Sequence, residues 1–197
     1  MVKNLITLLT IFFVLASPVY IFASTEEVPA GVVSDEPEWA VLETGYLTVC
    51  YIPGADLNGI ENNLKRRVTY FDSDIPSDNA PGEEKIRYQL DAIFRHAQAI
   101  LDMRPANIHV NIKIFRTRMD VGEEYVKIFG SARPDMEDLK AFYVNKYNTI
   151  YTSEEDISDS VIAHEMGHAI VDHYFAVIPP EKVRELLASY VDLHLAE

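Results

Sequence analysis

Between Glu83 and Met103 the apolar residues fall at Ile86, Leu90, Ile93, Phe94, Ala97, Ile100 and Leu101. Steps of three and four place them on one side of a 3.6-residue spiral, so the spacing predicts an amphipathic helix that Pro105 stops. The period then changes to two. Ile108, Val110, Ile112 and Ile114 alternate with His109, Asn111, Lys113 and Phe115, the pattern of a half-buried strand. Upstream, Trp39 to Ile52 reads as two strands around the turn signal Glu43-Thr44-Gly45. Tyr46, Thr48 and Cys50 there alternate with Leu47, Val49 and Tyr51, and Pro53-Gly54 ends the element.

Downstream, Phe142 to Tyr151 is β-branched and aromatic and reads as a strand or a hairpin. Ser153 to Ser160 is rich in N-cap residues and acids, as a helix start should be, and a helix follows to about Phe175. Pro179-Pro180 breaks the chain, and Pro180 or Glu181 opens a last helix to about Leu195. Residues 71–82 and 131–139 read as loops. There is no internal repeat. The elements add up to an α+β class: a small mixed sheet, one supporting helix and two C-terminal helices.

The first residues follow a different pattern. Lys3 precedes an uncharged, mostly apolar run, and no charge returns until Glu26. A basic head, an apolar core and small residues ending at Ala23 make residues 1–23 a secretory signal peptide. The rival reading is an uncleaved N-terminal membrane anchor. Residues 24–38 are polar and contain proline, a flexible lead-in. Residues 39–197 are then a single domain. The expected location is periplasmic or secreted. Composition narrows the partners. Acidic residues number 31 against 17 basic ones, a formal net charge of -14, which disfavours nucleic acid and anionic membrane surfaces. The single cysteine, Cys50, makes no intramolecular disulfide, and its apolar surroundings suggest a buried small hydrophobe.

The chemistry concentrates in residues 164–185. His164-Glu165-Met166-Gly167-His168 is an H-E-x-x-H motif on a predicted helix. Residues at i and i+4 lie one above the other on a helix face, so both imidazoles can reach one ion. Glu165, beside the first histidine, can take a proton from a water that the metal has acidified. A catalytic zinc site needs a third protein ligand and one open position. His173 lies on the opposite face of a continuing helix, which leaves Glu181 and Glu185 on the next helix. Glu181 suits an exposed helix start, where the dipole favours an acid. Glu185 precedes Leu186-Leu187-Ala188-Ser189-Tyr190, and a carboxylate inside an apolar run needs a compensating partner.

His164-Glu165-x-x-His168 with Glu185 seventeen residues after His168 resembles the gluzincin group of zinc metallopeptidases, the thermolysin-like zincins. Glu185-Leu-Leu-Ala188-Ser-Tyr190 is similar to the Glu-Gly-x-Ala-x-Tyr segment around the third ligand there, and Tyr143 to Tyr151 resembles the edge strand before the motif helix. The resemblance implies a zincin-like fold in which the last helix closes on the motif helix. It implies His164, His168 and Glu185 as ligands of one Zn2+ per chain and Glu165 as catalytic base. Peptides or proteins would be the substrates. The alternative is a zincin-fold zinc-binding module with little or no peptidase activity. Two departures stand out. The position four after Glu185, usually aspartate, is Ser189, with Asp192 the candidate to orient a zinc histidine instead. The sequence also stops twelve residues after Glu185, where such enzymes continue into a helical subdomain that supplies a Tyr or His to the oxyanion. Tyr190, Tyr147, Tyr151 and His194 are the candidates for that role.

Overall fold

A computed structural model of the chain describes residues 38–64, 76, 77 and 79–195. The signal-peptide reading of residues 1–23 and nearly all of the lead-in lie outside the described residues, as does much of the 71–82 loop. The sheet has five strands: β1 (Ala40–Glu43), β2 (Leu47–Tyr51), β3 (Val110–Phe115), β4 (Ala141–Val144) and β5 (Thr149–Ser153). Their order is β1-β2-β3-β5-β4. The central β2, β3 and β5 run parallel, and antiparallel β1 and β4 form the two edges. The helices are α1 (Leu57–Leu64), α2 (Gly82–Leu101), α3 (Arg118–Phe129), α4 (Asp159–Tyr174) and α5 (Glu181–His194). This is the expected α+β class with a mixed sheet.

The alternation in the strands sorts the core into two. Leu47, Val49, Val110, Ile112, Ile114 and Ile150 point to one face, where α1, α2, α4 and the buried side of α5 cover them. Leu90, Ile93, Phe94 and Ala97, spaced by three and four along α2, are all fully buried there. Phe115, Phe142 and Tyr151 point to the other face and pack against Val121, Tyr125 and Ile128 of α3. Phe142 and Tyr151 are register partners and stack with centroids 4.8 Å apart.

Three expectations need correction. The sheet has more than one supporting helix, because α1 and α3 were not foreseen. Helix α1 has eight residues and an internal Gly59, too short for a period to stand out. Helix α3 buries a narrow face, with Val121 its one fully buried residue. Its start is nonetheless written in the sequence: Thr117 and Asp120 form a reciprocal capping box, and Gly130 at φ 75° closes the helix. In the segment expected to be loop, Met136–Asp138 forms a 3-10 turn. Finally, Cys50 is half-buried on the second face, opposite Lys113, because its parity in β2 is that of Thr48 and not of Val49. Burial pushes its thiol up, which leaves it unreactive.

Candidate metal centre

The motif helix begins where its sequence says it should. Ser158 is the N-cap of α4, and its side chain accepts from the Val161 N–H. Helix α4 then runs beneath the β4–β5 hairpin and is buried for most of its length. After the break at Pro179-Pro180, α5 returns antiparallel to it. Three contacts trace the pairing: the Ser160 hydroxyl donates to Asp192, Gly167 lies against Ala188, and Arg184 Nη1 stands 3.4 Å from Asp172 Oδ2. A Cβ built on Gly167 would stand 3.0 Å from the Ala188 Cα, so the glycine permits the close approach of the two helices.

That approach carries Glu185 to the motif. Its carboxylate lies 3.5 Å from His168 Nε2 through one oxygen and 3.7 Å from His164 Nε2 through the other. One donor atom from each of the three residues falls within 4.8 Å of the others. Tetrahedral ligands at about 2.0–2.1 Å from zinc stand roughly 3.3–3.4 Å apart. The two Glu185–histidine distances are near that value, and the 4.8 Å bound on the whole set leaves about 1.4 Å or less to close by side-chain rotation. Two imidazole nitrogens and one carboxyl oxygen are a donor set that suits that ion chemically. His168 is in the right form: burial, with smaller contributions from His164 and Arg184, brings its pKa down to about 4 and keeps it neutral.

Glu165 sits in the same cavity, its residue 8% exposed. Burial pushes its carboxyl up to about 8, and the nearby Glu185 charge adds to the rise. A hydrogen bond accepted from the backbone N–H of Tyr143, on edge strand β4, and the charge of Arg133 pull the other way. The cavity measures about 930 Å³ and extends from the His-Glu cluster along β4 to Tyr125 and Phe129 of α3.

The structure brings His164, Glu165, His168 and Glu185 to one cavity. Glu181 also lines it, but lies outside the three-residue cluster. His173 is exposed, and its Nδ1 donates to the Ala169 carbonyl at 2.9 Å, away from the cluster as its helical angle requires. The reason given for Glu185 does not hold: its side chain is 55% exposed, so no burial penalty calls for a partner. Asp192 lines the cavity and takes the Ser160 hydroxyl, one turn before His164. None of Tyr190, Tyr147, Tyr151 and His194 lines this cavity. Its tyrosines are Tyr125 and Tyr143.

Sequence reasoning missed the polar cluster beneath His168. Buried Asp172 accepts from Asn145 Nδ2 at 3.1 Å and faces Arg184, tying the hairpin turn and α5 to the motif helix. Two signals were available: Asp172 follows His168 by four, and Arg184 adjoins Glu185. Comparison of the chain with protein-family models, curated proteins and solved structures finds no match.

Proposed function

We propose that this chain is an exported zinc-dependent metallopeptidase of zincin-like fold and gluzincin type, which hydrolyses peptide bonds in peptide or protein substrates. One observation carries the reading: His164, His168 and Glu185 converge from two helices, with Glu165 in the same cavity below an edge strand. His164, His168 and Glu185 would hold one zinc ion. Bound zinc supplies Lewis acidity and brings a water towards ionisation at neutral pH. Beside the ion's positive charge the Glu165 carboxyl would fall from its raised value, and the ionised Glu165 would then accept a proton from the water and pass it to the departing amine. The Tyr143 backbone orients that carboxylate. Residues Ala141–Val144 offer an outer strand edge along which an extended substrate backbone can pair.

The test is turnover of unfolded casein by the protein with zinc and after chelation, beside the variant Glu165→Gln. The wild type should cleave, and chelation should stop it. Glu165→Gln should keep its metal and lose about 10²–10⁴-fold in rate. Unchanged turnover in the variant overturns the mechanism. Bound zinc with no turnover in the wild type identifies the chain as a zinc-binding module instead.

A further inference from the structure

Helix α5 presents a second face that the metal centre does not use. Ala188, Val191 and Leu195 are buried on its inner side. On the outer side Val183, Leu186, Tyr190 and Leu193 are exposed, Leu186 by 69% and Leu193 by 73%. The spacing of three, four and three is that of two heptads of a coiled-coil seam. Val177 and Ile178, in the connection before α5, are exposed as well. Together these six residues leave on the order of 500–600 Å² of apolar surface in water, at the upper end of the largest patch of a typical monomer.

We propose that this face binds a second copy of the chain, with the two α5 helices packed antiparallel about a twofold axis. Three observations favour that occupant. The first is area. A standard interface buries about 800 Å² on each partner, and its fully buried core is about 65% apolar, so the patch suffices for one. The second is pattern. An antiparallel pair centred near Ala188 sets Val183 against the partner copy's seam at Leu193, and Leu186 against it at Tyr190, so the stripe is complementary to itself. The third is charge. The chain carries a net charge of -14, which opposes self-association over most of its surface. The acids of α5, namely Glu181, Glu185 and Asp192, lie roughly 120° or more around the helix from the seam. The seam is flanked by Lys182, Leu187, Ser189 and His194, so two copies meet there without opposing carboxylates. Lys182 is the one Lys or Arg that flanks the seam, too few for the basic rim of a membrane-surface helix, which disfavours a membrane as the occupant. This inference stands independently of the peptidase reading.

Sedimentation equilibrium of the full chain tests it, with wild type, the double variant Leu186→Glu/Leu193→Glu and the control Met119→Glu compared. Met119 is 70% exposed on α3, so the control removes apolar surface elsewhere. All three sites are exposed, and circular dichroism checks that each variant is folded. The expected result is a wild-type dimer that Met119→Glu preserves and the double variant dissociates, with a dissociation constant at least about 100-fold higher. Association that survives the double variant, or that Met119→Glu weakens equally, overturns the proposal. So does a monomeric wild type, and binding of that monomer to phosphatidylcholine vesicles would then identify a lipid surface as the occupant.

Discussion

Glu185 reaches both motif histidines while more than half of its side chain remains in solvent. Its apolar neighbours in sequence are poor witnesses to its surroundings, because successive helical residues point 100° apart. Leu186 faces water, Ala188 faces α4, and Glu185 faces the cavity between them. The residue itself was legible through its distance from the motif, and its environment was not. Asp156 shows the converse: nothing marked it in advance, yet it ties the start of α3 to the β5–α4 turn. Arg118 Nε donates to it at 2.9 Å, a second guanidinium nitrogen also donates, and the Ser153 hydroxyl donates at 2.9 Å. Burial alone would raise its pKa, but the hydrogen bonds from Arg118 and Ser153 outweigh burial and hold the carboxyl below its ordinary value. The resulting stability is present above the unfolded-state pKa of about 3.9 and is lost as pH falls through the lower folded value. Asp156→Asn should therefore melt at a lower temperature than wild type at pH 7, with the gap closing towards pH 2. A gap that stays constant over that range would show that the Asp156 charge is not what stabilises the turn.

Among the elements, those with a strong single period or clear end signals were legible. Helices α2, α4 and α5 and strands β2 and β3 fall within a residue or two of their expected limits. Helices α1 and α3 were not: the eight residues of α1 are too few for a period to stand out, and α3 buries too narrow a face to impose one. The packing of α5 on α4 was foreseen only as a helix folding back across the prolines. What sets its depth is Gly167, where an added methyl meets Ala188 backbone at 3.0 Å. Alanine is the better helix former by up to ~1 kcal/mol, but the obstructing atom belongs to a helix backbone and cannot rotate away. Gly167→Ala should destabilise the protein by about 1–3 kcal/mol. It should also weaken metal binding, because Glu185 moves with α5. Thermal melts and zinc titration of the variant check both effects, and a raised melting temperature would show that the helices are less tightly apposed.

At the scale of the whole molecule, two unrelated patterns meet at one cavity. The alternation that builds the sheet leaves β4 as an outer edge, and the turn at Pro179-Pro180 returns α5 along α4. The motif helix lies between them, so its His164 and His168 face the returning Glu185 while Glu165 faces the strand. From sequence the mixed sheet and the histidine pair were readable. The strand order was not, because it depends on long-range pairing that local periods do not encode. Among the described residues no helix is long and apolar enough to cross a membrane.

The central claim is that His164, His168 and Glu185 hold one metal ion between two helices. Equilibrium zinc binding by the metal-free wild type, Glu185→Ala and Glu181→Ala tests it most directly. The wild type should bind about one zinc per chain. Losing even an outer partner of a metal ligand costs 10–100-fold in affinity, so losing a ligand should weaken binding by at least about 100-fold in Glu185→Ala. Glu181→Ala should bind as the wild type does. The absence of zinc binding in the wild type, or a loss confined to Glu181→Ala, would contradict the claim.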